Sequence, residues 1–404
     1  MRPANLPLAF ILATVGLDAV GIGIMFPVMP DLMMEVTGTS LSQSALWGGV
    51  LVTSFAVMQF LFGPVVGNLS DRYGRRPVLL VSLAVMALDY LAMALAASVW
   101  LLLVARMISG VASATHSTAS AYVADISAPD DRARRFGLIG AAFGIGFIAG
   151  PVIGGLLADF GSRTPFWVAA ALAGGNLIFG LLVMPESLSP NLRRPFTLAR
   201  ANPLSSFAAI RTLPGLGMLL TVSFIYALTF NVWGAIWSYY GKEAFGWDAR
   251  WIGISLAVFG IGMALAQALL IGPMIRLYGE RQTALIGMGL EVTTYGFYGF
   301  VTSGFWALVF TPVSALGGVT GPALQGMMSR RTPETQQGEL AGINSSLNAL
   351  AMIATPLVMT AIFAAFTAPD APVYLPGAPF LLSAVLMVGA VLVFVAGTRA
   401  RLQA

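Results

Sequence analysis

About a dozen apolar stretches divide this chain, each near the roughly 20 residues that cross a bilayer as a helix, and the cations fall in alternate gaps between them. Arg72, Arg75 and Arg76 follow the second stretch, and Arg132, Arg134 and Arg135 the fourth. Arg193, Arg194, Arg200 and Arg211 follow the sixth, Arg276 and Arg281 the eighth, Arg330 and Arg331 the tenth. With Arg2 at one end and Arg399 and Arg401 at the other, 17 of the 21 Lys and Arg residues lie on one side. The opposite gaps hold only Arg163, Lys242 and Arg250, while Arg106 lies within an apolar stretch. Retained cations mark the cytoplasmic face, so the pattern predicts twelve spanning helices with both termini in the cytoplasm.

Composition agrees. Of 404 residues, 57% are hydrophobic and 9% charged, against about 25% charged in an ordinary soluble domain. The Arg residues are spread over separate segments along the whole chain, which reads as topology and lipid-headgroup contact rather than a nucleic-acid patch. There is no cysteine, which excludes disulfides and thiolate metal sites. The apolar run after Arg2 continues to about Met29 and holds Asp18, so it reads as a retained first helix, not a cleaved leader. The runs are too long for barrel strands and lipid admits no open sheet edge. The expected fold is an all-α membrane protein.

The expected spans are 6–29, 43–67, 77–97, 99–123, 136–158, 165–184, 214–239, 250–272, 282–302, 304–327, 338–366 and 377–398. The polar segment from Pro185 to Leu213 carries four Arg and divides the chain almost in half. It reads as a cytoplasmic linker, 185–213, between a six-helix bundle at 1–184 and a second at 214–404. The halves look duplicated. Gly67–Arg76 and Gly272–Arg281 are similar loops, and Gly279 lies 205 residues after Gly74. Pro356 lies 205 residues after Pro151. Parallel six-helix repeats with a site between them near the midplane are a recurring transporter architecture.

The loop Gly67-x3-Asp71-Arg72-x-Gly74-Arg75-Arg76 places a carboxylate among cations at the end of the second span. It reads as a latch pairing across the two bundles, or as a plain turn with topology-setting charges. Gly74 suits a turn where a side chain would clash. In the fifth span, Gly146-x3-Gly150-Pro151-x2-Gly154-Gly155 permits close helix approach. It is expected to pack on its repeat mate, 338–366.

The loop resembles the signature loop of the major facilitator superfamily, and the glycine motif resembles that of its drug/proton antiporters. Leu17-Asp18, Leu88-Asp89-Tyr90-Leu91, Arg106-x2-Ser109-Gly110, Pro322-x2-Gln325-Gly326 and Gln336-Gln337-Gly338 carry the resemblance nearly end to end, closest to the tetracycline/proton antiporters. It implies export of a small hydrophobic or amphiphilic, drug-like molecule in exchange for protons. It also implies a bacterial inner-membrane location, no cofactor beyond the proton gradient, and function as a monomer. Three positions depart from that subfamily. Met263 stands where it usually has His, Glu291 where it has Asp, and Asn231 where it has Gln. These departures put tetracycline itself in question as the substrate. A uniporter or symporter for a metabolite is the alternative on the same scaffold. No nucleophile triad, phosphate loop or metal cluster marks an enzyme.

An ionisable residue at mid-bilayer costs at least about 2.5–3.5 kcal/mol, and Asp18, Asp89, Arg106 and Glu291 all lie within expected spans. Glu291 is the expected main proton carrier, with Asp18 and Asp89 as a second acidic cluster. The other reading is that these carboxylates merely pair. Arg106 either joins that proton site or snorkels to headgroups. His116 is either a proton relay or a packing residue. Gln59, Asn231, Trp233, Met263, Gln267 and Gln325, with His116, are candidate substrate-cavity residues, and Tyr239, Tyr240 and Trp247 read as an interfacial aromatic belt.

Overall fold

The computed structural model describes residues 6–113, 115–197, 201–203, 213 and 215–399, without the side chains of His116 and Arg399. Arg2, Arg200, Arg211 and Arg401 lie outside the described residues. Among those described there is no strand. The helices are α1 (Leu6–Thr37), α2 (Leu41–Tyr73), α3 (Arg75–Leu95), α4 (Val99–Ala112), α5 (Thr115–Asp125), α6 (Arg132–Ala158) and α7 (Thr164–Val183). After the linker come α8 (Gly217–Phe230), α9 (Val232–Phe245), α10 (Ala249–Leu265), α11 (Ile271–Phe300), α12 (Gly304–Ala315), α13 (Thr320–Arg331), α14 (Gln337–Thr367) and α15 (Ala378–Arg399).

These make 11 stretches long and apolar enough to cross a membrane. One of them, Ala249–Phe300, is 52 residues long and breaks at Gly279, whose φ of 75° lies in the region open to glycine. It therefore supplies two crossings, which gives the twelve expected from the apolar runs. The helices overrun those runs at several ends, as α1 and α2 do, because the backbone continues in helix past the last apolar residue. The chain is a multi-pass membrane protein.

Contacts divide the chain into two units. The first is Met1–Thr39, Ser54–Pro203 and Asp248–Ala257, and the second is Ser40–Thr53, Leu204–Trp247 and Val258–Ala404. In the first, α1 packs along α6 and α7, around a core of Phe10, Ile11, Leu79, Leu83, Tyr122 and Ile139. The α6 glycines make this possible. An ideal Cβ on Gly150 would lie 2.6 Å from the Val20 carbonyl oxygen and 2.7 Å from the Gly23 Cα. Gly146 and Gly154 meet the carbonyls of Gly16 and Ile24 in the same way. The glycine face expected against 338–366 therefore lies on α1, because α1 carries matching small residues at Gly16 and Gly23. Gly155 and the Pro151 carbonyl abut the short Asp248–Ala257 segment at Ala249 and Gly253.

In the second unit the start of α2 lies on α14. The Ser42 hydroxyl donates to the Thr367 carbonyl (3.0 Å), the Thr53 hydroxyl donates to that of Ile353 (3.1 Å), and Gly49 faces the Pro356 carbonyl. The core is aromatic. Trp237, Tyr240, Trp247, Tyr298 and Phe380 meet ring to ring at 4.9 to 6.2 Å with their neighbours. The expected belt at Tyr239, Tyr240 and Trp247 is thus an interior feature, all three being buried. The Tyr240 hydroxyl finds its partner inside the protein, donating to the Tyr298 carbonyl at 2.6 Å.

Gly150→Val is expected to force α1 and α6 apart and destabilise the protein by about 1–3 kcal/mol, the usual range for overpacking. Gly144→Ala, where a Cβ meets nothing within 4 Å, should be neutral. Thermal unfolding of the two purified variants in detergent checks the contrast.

Candidate functional site

Among the described residues, buried ionisable side chains form one centre in the apolar helices of each unit. In the first unit, Asp89 on α3 and Arg106 on α4 are 3% and 8% exposed and form an ion pair. Arg106 Nε also donates to Asp89 Oδ1 at 3.2 Å. Its guanidinium carbon lies 5.4 Å from the centre of the Phe55 ring, and Nη1 approaches the Met25 sulfur at 3.7 Å. Arg106 therefore turns inward to a carboxylate rather than snorkelling, and Asp89 does not face lipid. Asp18 is half-buried on α1, within electrostatic range of Tyr90, whose ring rests on Gly21 one turn further along. Asp18 and Asp89 thus have different neighbours.

The second unit holds Glu291 on α11, 4% exposed, whose Oε2 has no hydrogen-bond partner among the described residues. Around it the helices lose regular geometry. The seventh crossing breaks at Asn231, whose side-chain amide donates to the Ala227 carbonyl at 2.7 Å. The eighth widens into a π-helical turn at Ala266–Leu270, and the tenth tightens into a 3₁₀ turn at Leu316–Val319. Mid-helix departures of this kind often mark functional hinges. The Leu316–Val319 turn and the α4–α5 break around Ser113 fall at the same place in the two repeats, again 205 residues apart.

The other candidates scatter. Trp233 sits among Trp237, Phe259, Tyr298 and Phe380 at 5.1 to 5.2 Å and so belongs to the aromatic core as much as to a cavity wall. Met263 rests against Gly318. Gln267 is exposed on the π-helical turn, and Gln325 is exposed and accepts from the Asn344 amide at 2.7 Å. Gln59 is half-buried on α2. His116 lies on α5, and its side chain is outside those described.

The loop Gly67–Pro77 is an electrostatic cluster within its own unit. Arg75 bonds Asp71 at 2.5 Å and Asp125, at the end of α5, at 3.3 Å. Gly74, at φ 109°, leaves the first turn of α3 open to the Glu186 carboxylate. That carboxylate accepts from the backbone N–H groups of Arg75 (2.8 Å) and Arg76 (3.2 Å), where the helix dipole favours negative charge. Nothing in the motif itself pointed to Glu186, which lies 110 residues downstream of Arg76.

In the second repeat the cluster reappears with its signs reversed. Asp71, Arg75 and Asp125 correspond, at the offset of 205, to Arg276, Glu280 and Arg330. Glu280 and Arg330 form their own ion pair at 3.0 Å. The offset read from Gly74 and Pro151 would have exposed this reversal had it been applied to the charges.

Comparison with known proteins fits this geometry. The sequence model described as Major Facilitator Superfamily matches residues 11–241 and 218–402. The chain belongs to the major facilitator superfamily. Within the superfamily it is similar to "Tetracycline resistance protein, class C" of Escherichia coli, 45% identical over 362 residues, covering 90% of this chain and 91% of that protein. It is 40% identical over 361 residues to "Tetracycline resistance protein, class G" of Vibrio anguillarum, covering 88% and 89%. Among solved structures, the nucleoside transporter NupG superposes with a TM-score of 0.79 over 98% of this chain and 99% of that one. At 14% identity, that likeness bears on the superfamily fold alone.

Removing one partner of a buried pair leaves an unmatched charge, at a cost of about 3–5 kcal/mol. Asp89→Asn and Arg106→Gln are each expected to destabilise by that order, and the double variant by much less than the sum. A thermal-unfolding double-mutant cycle reads the coupling.

Proposed function

We propose that this protein is a proton-coupled antiporter that exports a hydrophobic, drug-like molecule from the cytoplasm by alternating access. The observation that carries the reading is Glu291, a carboxyl group in a membrane-spanning helix, buried, with an oxygen left unbonded among the described residues. A purely structural carboxylate in hydrocarbon would be expected to have a partner, as Asp89 has Arg106. A carboxyl that must take up and release a proton in each cycle has to be free of a permanent cation.

In this reading Glu291 carries the proton, and Asp18 and the Asp89–Arg106 pair form the polar centre of the first repeat. Asn231, Trp233, Met263, Gln267, Gln325, Gln59 and His116 contact substrate at different stages. The Asp71–Arg75 loop latches one conformation, and bundles 1–184 and 214–404 rock about the 185–213 linker. Similarity to tetracycline resistance proteins supports a tetracycline-type or multidrug substrate. The cation bias supports cytoplasmic termini in a bacterial inner membrane. The protein then acts as a monomer and needs no cofactor. The proton gradient supplies about 1.4 kcal/mol per pH unit and about 2.3 kcal/mol per 100 mV for each charge moved.

The test is purified protein in liposomes with an imposed pH gradient and a trapped pH dye, offered tetracycline and a panel of lipophilic drugs. Proton flux is expected on addition of a substrate, and Glu291→Gln should reduce it to the level of empty liposomes while the protein stays monodisperse. Retained pH-driven flux in that variant overturns the assignment of Glu291. Absence of flux with every compound, in folded wild-type protein, overturns antiport.

A further inference from the structure

Arg163 is one of three cations in the cation-poor gaps, and its bonds give it a task there. It immediately precedes α7, and its carbonyl accepts from the N–H groups of Phe166 and Trp167 at 3.1 and 3.3 Å, so the first turn of that helix sets its backbone. The guanidinium reaches three acceptors on two other helices. Nε donates to Glu35 Oε1, near the end of α1, at 2.8 Å. Nη1 donates to the Ala94 carbonyl at 2.9 Å, and Nη2 to that of Ala96 at 2.6 Å. The Ser162 hydroxyl donates to the other Glu35 oxygen at 2.6 Å.

Ala94 and Ala96 stand at the C-terminal end of α3, where a helix leaves carbonyls without partners of its own. Both are buried, so a donor has to come from the protein. The corresponding helix end in the second repeat is tied by other means. Tyr240 lies 205 residues after Glu35, and Val301 205 residues after Ala96. The Tyr240 hydroxyl bonds the Tyr298 carbonyl and lies 3.4 Å from that of Val301, at the end of α11. Gly377 precedes α15 as Arg163 precedes α7, and an ideal Cβ on it would lie 2.6 Å from the Tyr298 carbonyl oxygen. A tie at this end is thus built twice, with a neutral hydroxyl and a close-packed glycine in one copy and a guanidinium fork in the other.

What the fork fixes follows from the α3–α4 hairpin. Ala96 to Ser98 join the two helices, and Ser98 Oγ accepts from the Trp100 N–H at 3.3 Å where α4 begins. Asp89 lies seven residues before Ala96 and Arg106 eight after Ser98, so both are about two helical turns from the tip. A slip of one helix along the other by a single residue, about 1.5 Å, would draw the carboxylate and guanidinium apart.

We propose that Arg163 is a positioning residue, holding the tip of the α3–α4 hairpin so that Asp89 and Arg106 meet. Its consequence for transport rests on the reading of that pair as the polar centre of the first repeat. The bonds to Ala94 and Ala96 carry the effect. The ion pair with Glu35 adds little, because Glu35 is exposed and water screens such a pair.

The experiment repeats the thermal-unfolding cycle of Asp89→Asn and Arg106→Gln, on full-length protein in detergent, in further backgrounds. In Arg163→Gln the coupling should be lost, so that the drops in Tm become additive. In Glu35→Gln, which keeps the bonds to both carbonyls, the coupling should be retained. A residue serving only general stability would lower every Tm and leave the non-additivity of the pair intact, and that result overturns the proposal. Arg163→Lys keeps the charge, but one ammonium cannot reproduce the fork, so the coupling should fall between the two. That variant supplies the cycle if Arg163→Gln does not fold, and undiminished coupling in it overturns the proposal.

In proteoliposomes, substrate-driven proton flux should drop in Arg163→Gln and persist in Glu35→Gln. Lost coupling in Arg163→Gln, with flux undiminished in Asp89→Asn, supports the positioning role and overturns the part of the pair in transport.

Discussion

A peptide group in hydrocarbon has no water to bond, so each segment that crosses the bilayer must satisfy its own backbone, and only a helix does so within one segment. That requirement accounts for the twelve crossings and for the scarcity of charge within them. It also makes each departure from regular helix informative. The break at Asn231, the π-helical turn at Ala266–Leu270 and the 3₁₀ turn at Leu316–Val319 all leave carbonyls or amides to be satisfied elsewhere. All three occur in the unit that holds Glu291. Irregular backbone at membrane depth is tolerated where protein covers it or a cavity lies beside it.

Close approach is the second theme, and glycine supplies it in two different ways. Along α6 the glycines let a backbone lie on the backbone of α1, which serves packing. At Gly317 and Gly318 the missing side chains make room for the side chains of two other helices. The first arrangement tightens a helix pair, and the second seats Glu291 against Gly317 and Met263 against Gly318. The two centres in the apolar region contrast in the same spirit. Asp89 is matched by Arg106 and held, whereas Glu291 is shielded and left free.

Much of this was legible in the sequence, because apolar length and cation bias are properties of single segments. The twelve crossings, the depth of Glu291 and the repeat offset all come from counting along the chain. What the sequence hid depends on which segments meet. Tyr240 looks interfacial by its neighbours in sequence, but its hydroxyl reaches the Tyr298 carbonyl, and so it lies inside. The α6 glycines announce a close contact without naming α1 as the partner. Glu186 shows no sign of serving α3, since the vacancy it fills is created by Gly74 far upstream. Glu291 and Met263 each touch a glycine, Gly317 and Gly318, of one turn that belongs to neither of their helices.

The sign reversal between Asp71–Arg75–Asp125 and Arg276–Glu280–Arg330 bears on assembly. Duplicated halves share helix lengths, turns and small-residue faces, so during synthesis a helix of one copy resembles its counterpart in the other. Were α11 to settle beside α5 in place of α3, Glu280 would meet Asp125, and were α3 to settle beside α13, Arg75 would meet Arg330. Each misplaced partner brings like charge to like, while each correct one brings opposites. The two copies thus carry complementary labels at the same address, and a nascent chain inserting into the membrane can tell its first half from its second.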